Sequence, residues 1–207
     1  MNGVFEAMDL IRFCRNLLLF ALIFAMATPV CAGVPTEKIR ETTEKILSIV
    51  TDPDLEGPEK EEGRRALIRG AVDERFNWEE MSRRALARHW RKLNDTQKKD
   101  FTALFAKLLE RTYLDKVEDY SGEQVTYVNE VIDGEYALVE VKILTTKGTE
   151  IPVHYKLRKK GEDWRVYDIA IEGVSLVNNY RVQFNDIITK SSYEALVKKL
   201  QEKVAEK

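Results

Sequence analysis

Apolar residues in the first half of the chain recur with the spacing of an α-helix. Between residues 35 and 119 they stand three and four positions apart, as on one face of a helix. Asn94 and Gln97 form a capping-box pattern at the start of the longest stripe. That stripe consists of Phe101, Leu104, Phe105, Leu108, Leu109, Thr112 and Tyr113. The pattern predicts a long amphipathic helix that begins at Asn94.

Shorter helices are predicted upstream of this one. Asp52-Pro53 ends a first helix, and a second is expected to begin near Pro58 and to run towards Arg75. Asn77 and Glu80 repeat the capping-box spacing, so a third helix is predicted from Asn77 to about Trp90.

After Ser121-Gly122 the apolar spacing changes from about four residues to two, which is the period of a β-strand. Hairpin signals at Asp133-Gly134, Lys147-Gly148 and Lys160-Gly161 separate four alternating runs. These runs span residues 123–132, 135–145, 150–159 and 164–171. The pattern predicts an antiparallel four-stranded meander with one buried face.

Helical spacing returns after Gly173, and Ser191 with Glu194 resembles a helix start. The expected fold class is therefore α+β. It has a helical part at 35–119, strands within 123–171 and C-terminal helices at 176–205.

The first 32 residues have the pattern of a secretory signal peptide. Arg12 and Arg15 precede an apolar run of eleven residues, Leu17 to Ala27, which is well short of the roughly 20 needed to span a bilayer. We expect cleavage near Ala32, which would leave a single exported domain at 33–207. An uncleaved N-terminal anchor is the alternative interpretation.

Charge and cysteine content narrow the possible functions. The 33 Lys and Arg residues nearly balance 35 Asp and Glu residues, so the chain has no overall basic field for nucleic acid. Both cysteines, Cys14 and Cys31, fall within the predicted signal peptide. The remaining domain would therefore lack disulfides, thiol chemistry and cysteine-ligated zinc.

The pattern of polar residues does not favour an enzyme. His89 and His154 are isolated in the sequence, and Gly173-Val174-Ser175 lacks the second glycine of a nucleophile elbow. Asp168 and Glu172 would stand about 13 Å apart along a strand, too far for a coupled pair. We therefore expect no catalytic residue, no metal site and no cofactor. A hydrolase using Ser175 with His154 remains a minor alternative.

Two segments resemble a known family. Phe76 to Leu86, followed by His89 to Lys92, is similar to the helical signature of the MlaC phospholipid-binding family. The run from Trp164 to Val177, continuing through Asn179-Tyr180-Arg181 to Phe184, resembles the family's C-terminal pattern. The family's usual threonine-proline start of the long helix is replaced by Asn94-Asp95, which preserves capping.

The resemblance implies a helical subdomain beside an NTF2-like sheet that encloses an apolar lipid pocket. Members of the family are periplasmic carriers that shuttle phospholipid between the outer membrane and an inner-membrane ABC transporter complex. The expected partners are phospholipid as cargo, that complex with its MCE-domain component, and an outer-membrane lipoprotein–porin complex. A monomer is expected.

Side-chain facing and the family motif together predict which residues contact lipid. The expected pocket lining is Leu86, Trp90, Phe105, Leu108, Leu109, Tyr113, Val139, Val141, Val153, Tyr155, Tyr167, Ile169, Val174, Val177, Tyr180 and Phe184. Arg181, Arg84, Arg88 and Arg91 are expected to contact a headgroup or a partner. The alternative for Arg84, Arg88 and Arg91 is a solvated helix face, and for Arg181 it is an exposed helix arginine paired with Asp186 or Glu172.

Two further functional alternatives remain open at this point. Some relatives accompany pathways for hopanoids, so the cargo could be a polycyclic lipid. The aromatic residues could also be solid core, which would make the chain a secreted interaction domain without a lipid pocket.

Overall fold

The computed structural model describes residues 33–205, so the predicted signal peptide and both cysteines lie outside the described residues. In chain order the described elements are α1 (Val34–Val50), a 3₁₀ turn (Pro53–Leu55), α2 (Glu61–Arg75), α3 (Trp78–Leu86), a second 3₁₀ segment (Ala87–Lys92), α4 (Asp95–Glu118), β1 (Gln124–Asp133), β2 (Tyr136–Leu144), β3 (Glu150–Lys160), β4 (Asp163–Ile171), β5 (Val174–Ser175), α5 (Leu176–Lys190) and α6 (Tyr193–Ala205). The predicted α+β class is confirmed.

Local capping explains where the helices begin. The Asn94 side chain accepts a hydrogen bond from the Gln97 backbone, and the Gln97 side chain accepts one from the Asn94 backbone, so the predicted capping box is present at α4. At α6 the capping side chain is Ser192 rather than Ser191, because the Ser192 hydroxyl accepts from the Ala195 backbone at 3.1 Å.

The predicted continuous helix from Asn77 to Trp90 was wrong in its second half. Asn77 caps α3 by accepting from the Glu80 backbone at 3.2 Å. The α-helix then ends at Leu86, because Ala87 adopts φ 47° and ψ −119°, a conformation that a helix does not contain. The chain continues in 3₁₀ form to Lys92 and so turns away from the axis of α3.

All neighbouring strands of the sheet pair antiparallel, in the order β1-β2-β3-β4-β5. The predicted sheet had four strands. The additional β5 consists of Val174 and Ser175, which pair with Ile171 and Ala170. A strand of two residues has no alternating pattern, so the sequence gives no signal for it.

One face of the sheet packs on α1. Val139, Val141, Val153 and Val166 form an apolar cluster there, together with Ile39 of α1. The other face carries Lys156 and Asp168, which stand directly opposite each other on β3 and β4. The register shift beside this pair lets Asp168 and Val166 point to opposite faces although they are two residues apart.

A second apolar cluster lies among helices α3 to α6. Its centre is aromatic: Phe105 lies 5.2 Å from Tyr180 and 5.5 Å from Phe184 between ring centres, with the rings steeply inclined. Phe76 packs against both this cluster and the one under α1. The protein therefore has two apolar regions, one helical and one on the α1 side of the sheet.

A buried arginine joins the first two helices to the sheet. Arg75, at the end of α2, donates to the Asp163 carboxylate at 2.9 Å and to the Trp164 carbonyl at 2.8 Å. Its Nε also donates to the Thr42 hydroxyl of α1 at 3.1 Å. A buried charge is tolerated only with such partners, so this group fixes α1 and α2 against β4.

Within residues 33–205, no helix is both long enough and apolar enough to cross a membrane.

Candidate functional site

A cavity of about 750 Å³ opens where α3 and the 3₁₀ segment meet β3, β4 and the start of α5. Its volume falls in the range of about 300–1,000 Å³ typical of ligand pockets. The lining residues are Arg83, Arg84, Ala87, Arg88, Trp90, Arg91, Lys156, Tyr167, Asp168, Ser175, Val177, Asn178 and Arg181. Six of them are cationic and one is a carboxylate.

The break at Ala87 explains how one short stretch of chain supplies four of the arginines. Arg83 and Arg84 lie in the last turns of α3, whereas Arg88 and Arg91 lie in the 3₁₀ segment that follows. Because the chain changes direction at Ala87, both pairs line the cavity.

Two of these arginines share one acid as their ion-pair partner. The Glu80 carboxylate, in a residue only 7% exposed, accepts from Arg83 Nε and Arg84 Nε at 2.7 Å each. Burial alone would raise the pKa of Glu80, but the hydrogen bonds and charges of Arg83 and Arg84 outweigh it and lower that pKa. The same hydrogen bond raises the pKa of Arg83. Glu80 is therefore an anion that holds both guanidinium groups at the cavity wall.

The other three arginines keep their charge uncompensated. Arg88 donates to the Asn185 amide oxygen at 2.9 Å, and Arg181 donates to that of Asn178 at 2.6 Å. Within the part of the chain that the structure describes, neither these two nor Arg91 lies within 4 Å of a carboxylate oxygen. The cavity therefore has a positive wall with guanidinium donors available to an anion.

Asp168 is the single carboxylate among the cavity-lining residues. Its carboxylate accepts from Lys156 Nζ at 3.0 Å, from the Ser175 hydroxyl at 2.7 Å and from the Val177 backbone at 3.1 Å, and the residue is 4% exposed. Ser175 also caps α5 by accepting from the Asn178 backbone at 3.0 Å. Asp168 thus connects the sheet to the first turn of α5, where an anion is favoured by the helix dipole.

Aromatic side chains continue the wall along the sheet. Tyr167 stands where the β3–β4 register shifts, and the Arg84 guanidinium carbon lies 4.0 Å from its ring centre. Tyr136 meets Tyr167 edge to face with 6.1 Å between ring centres, and Arg158 lies 5.6 Å from the Tyr136 ring. Both rings therefore carry a cation already.

The histidines are not brought together. His89 Nε2 lies 3.1 Å from the Asn185 amide oxygen, and His154 stands opposite Ala170 in the β3–β4 ladder. No group of three or more His, Cys, Asp or Glu residues among residues 33–205 could hold a metal ion.

The residues predicted to contact lipid fall into distinct places. All four predicted arginines line the cavity, and so do Trp90, Tyr167 and Val177. The helical cluster contains Leu86, Phe105, Leu108, Leu109, Tyr180 and Phe184, with Tyr113 packed against it. The cluster on the α1 side of the sheet contains Val139, Val141 and Val153, with Tyr155 and Ile169 packed against them. Val174 is 58% exposed.

Strand alternation keeps the sheet group away from the cavity. Lys156 and Asp168 line it, so their neighbours Tyr155 and Ile169 point to the opposite face, towards α1. Burial on that side raises the pKa of Tyr155 to about 12. We expected one apolar pocket bounded by both groups, whereas this cavity has a cationic wall and an apolar base made by Trp90 and Val177.

Several wall residues were not predicted as part of the site. Lys156 alternates with the apolar residues of the third predicted strand, which was a usable signal. Asp168 gave none, because it is in phase with Val166 in the sequence and the register shift turns it to the other face. Ala87, Ser175 and Asn178 gave none, because their place at the wall depends on the helix break and on the start of α5.

The fold and the cavity define an α+β protein with a ligand cavity between an antiparallel sheet and a helical layer. A profile of the MlaC protein family matches residues 40–202, most of the chain. The chain belongs to the MlaC family, and the predicted resemblance is confirmed.

Individual relatives agree with this assignment. The intermembrane phospholipid transport system binding protein MlaC of Haemophilus influenzae is 24% identical over 147 residues, 69% of each chain. The toluene tolerance protein ttg2D of Pseudomonas putida is 26% identical over 102 residues, 49% of this chain and 47% of that protein. A phospholipid-binding protein from Ralstonia solanacearum, solved in complex with a phospholipid, superimposes with a TM-score of 0.75. It is 25% identical, and the match covers 84% of this chain and 98% of that one.

Proposed function

We propose that this protein is a periplasmic phospholipid carrier that moves lipid between the outer membrane and an inner-membrane ABC transporter complex. The observation that carries the proposal is the arrangement of charged and apolar side chains around the cavity. Unpaired guanidinium groups line its wall, and Trp90 and Val177 at its base belong to the helical apolar cluster. A phospholipid has the matching arrangement, because its anionic phosphate is joined to apolar acyl chains.

The phosphate would meet the wall formed by Arg88, Arg91 and Arg181. Guanidinium groups present planar pairs of donors that match phosphate oxygens, and an uncompensated cation gains more from an anion than a paired one does. Arg83 and Arg84 contribute less, since both are already engaged by the Glu80 carboxylate.

The acyl chains would extend past Trp90 and Val177 into the helical cluster. Both side chains line the cavity and belong to the same apolar cluster as the rings of Phe105, Tyr180 and Phe184. Loading lipid therefore requires these rings to move apart, so that their contacts with one another are replaced by contacts with the acyl chains.

The energetics explain why a carrier is needed. At about 0.8 kcal/mol per CH₂, two chains of about sixteen carbons represent on the order of 25 kcal/mol of exposure to water. A pocket that imitates the bilayer removes that barrier without a catalytic group. Direction must then come from the partners that load and unload the carrier.

The relatives support the same proposal. The Ralstonia protein shares the fold and was solved with a phospholipid, and the Haemophilus relative is named as the binding protein of a phospholipid transport system. By the family resemblance we propose docking to the MCE-domain component of the ABC transporter complex and to an outer-membrane lipoprotein–porin complex, as a monomer.

Vesicle-to-vesicle transfer tests the proposal. Donor vesicles carry a fluorescent phospholipid and a quencher, and acceptor vesicles carry neither. We expect catalytic amounts of protein to increase the transfer rate well above the protein-free rate. Transfer at the protein-free rate would contradict the proposal, whereas transfer of a polycyclic lipid alone would support the hopanoid alternative.

A matched pair of variants links transfer to the cavity. Val177→Glu places a charge at the apolar base, whereas Val182→Glu places the same charge on the outer face of α5, where Val182 is 62% exposed. We expect Val177→Glu to lose transfer and Val182→Glu to keep it, with circular dichroism confirming that both are folded. Equal transfer by both variants would argue against this cavity as the lipid site.

A further inference from the structure

The cavity contains no carboxylate that is free to receive a positively charged headgroup. Asp168 is the one acid among its lining residues, and Lys156, Ser175 and the Val177 backbone already occupy its oxygens. Glu80 lies behind Arg83 and Arg84 and is bonded to both. An ammonium group in the cavity would therefore find no anionic partner.

The aromatic side chains offer no alternative site for a cation. Quaternary and primary ammonium groups bind over aromatic rings, as in aromatic cages. Two aromatic residues line the cavity. Tyr167 already has the Arg84 guanidinium 4.0 Å from its ring centre, so a headgroup ammonium would have to displace that group. Trp90 is only 8% exposed and packs within the helical cluster, so little of its ring is open to an ammonium group.

The charges that remain free all have the same sign. Arg88, Arg91 and Arg181 line the cavity, and none has an ion-pair partner within residues 33–205. The phosphate of a zwitterionic lipid would be attracted to them, but its ammonium group would be repelled at short range. An anionic lipid gains the attraction without the repulsion.

From these three observations we infer that the cavity selects phospholipids whose headgroup carries no positive charge, so that the bound lipid has a net negative charge. This inference rests on the proposed function and specifies its substrate class. The selecting residues are Arg88, Arg91 and Arg181.

Competition within one membrane tests the selection. Delipidated protein is incubated with vesicles that contain equal amounts of phosphatidylglycerol and phosphatidylethanolamine with identical acyl chains. The protein is re-isolated and its lipid is quantified by mass spectrometry. Because both lipids share one membrane, general attraction of the protein to an anionic surface affects them equally. We expect phosphatidylglycerol to be enriched about fivefold to tenfold over phosphatidylethanolamine, from several like-charge contacts of modest size.

Two triple variants with the same change in net charge test whether the cavity arginines cause the enrichment. The cavity variant loses three cavity charges through Arg88→Gln, Arg91→Gln and Arg181→Gln. The control variant loses three exposed charges elsewhere through Lys99→Gln, Lys107→Gln and Lys203→Gln. We expect the cavity variant to bind both lipids nearly equally and the control to keep the enrichment. Enrichment retained by the cavity variant would overturn the inference.

Other outcomes separate this inference from the function beneath it. Wild-type protein that binds lipid at the ratio of the vesicles would overturn the selection and leave the carrier function standing. Protein that takes up neither lipid would overturn both. An excess of soluble glycerol phosphate distinguishes a lipid headgroup from a free anion: we expect the bound lipid to be retained, and its complete displacement would overturn the inference in favour of a site for small phosphate esters.

Discussion

The guanidinium group of Arg84 stacks on the ring of Tyr167, with 4.0 Å from the guanidinium carbon to the ring centre. The contact joins the last turn of α3 to the irregular position of β4. Glu80 holds the same guanidinium from the other side through a 2.7 Å hydrogen bond. The cavity wall is therefore fixed by a chain of contacts from the helical layer to the sheet.

A double-mutant cycle measures this connection. Arg84→Met keeps most of the aliphatic stem, and Tyr167→Leu keeps an apolar side chain. From the free energies of unfolding in urea we expect a coupling of about 0.5–1 kcal/mol, the range of a partly exposed cation–π contact. Strictly additive effects would show that the stacking contributes nothing to stability.

The lowered pKa of Glu80 should make the stability of the protein depend on pH. Its folded pKa is lowered from 4.5, so its contribution is present above the unfolded pKa and is lost as the pH falls through the folded pKa. Glu80→Gln should cost about 2 kcal/mol at pH 7, and the difference from wild type should shrink below about pH 4.5. The fully exposed Glu162 provides a control, since Glu162→Gln removes only a 3.8 Å surface ion pair with Lys159 and should leave stability nearly unchanged. A cost for Glu80→Gln that is constant with pH would contradict this assignment.

Among the polar residues of the cavity, Asp168 should cost the most stability when it is substituted. Asp168→Ala leaves Lys156 without its ion pair and removes two hydrogen bonds at the start of α5, so we expect a loss of about 3 kcal/mol in the free energy of unfolding. Ser175→Ala removes the helix cap and should cost about 1 kcal/mol. Calorimetry or urea titration checks both values, and the reverse order of costs would refute the role assigned to Asp168.

Ser175 also distinguishes a carrier from a hydrolase. Its hydroxyl donates to Asp168 and accepts from the Asn178 backbone, so it is part of a helix cap. We expect Ser175→Ala to transfer lipid at the wild-type rate at a temperature where it is folded. Loss of an esterase activity in this variant, with folding intact, would instead support the alternative that pairs Ser175 with His154.

Ala87 carries backbone strain at the cavity wall. Its φ of 47° lies in a region that glycine occupies far more readily than alanine. Ala87→Gly should therefore raise the free energy of unfolding by about 1 kcal/mol. Ala103→Gly, at an exposed position within α4, should lower it by about the same amount. Destabilisation by both substitutions would mean that the wall does not store strain at this residue.

Local signals in the sequence predicted most of the fold. The capping box at Asn94 and Gln97 fixes the start of α4 through side chains only three residues apart, and the glycines at 134, 148 and 161 mark three turns of the sheet. Such features need no knowledge of distant contacts, which is why they could be predicted. The end of α3 at Ala87 could not be, because alanine favours a helix and tertiary packing overrides that preference here.

The candidate site was only partly predictable for a related reason. Periodicity shows that Val139, Val141 and Val153 share a face, but not which helix covers that face. The sequence therefore suggested a single interior, whereas α1 covers these residues and α3 with α5 covers the other side of the sheet. Arg84, Arg88 and Arg91 were easier to assign, because they are close in sequence and still line one cavity across the break at Ala87.

The central claim is that the protein binds phospholipid as cargo, and mass spectrometry of the lipid bound to the purified protein tests it most directly. Protein from lipid-replete cells is extracted with organic solvent, and Val177→Glu protein is treated identically. We predict phospholipid in a fixed ratio to the wild-type protein, enriched in anionic species, and little or none on the variant. Wild-type protein that is folded and free of lipid would contradict the account.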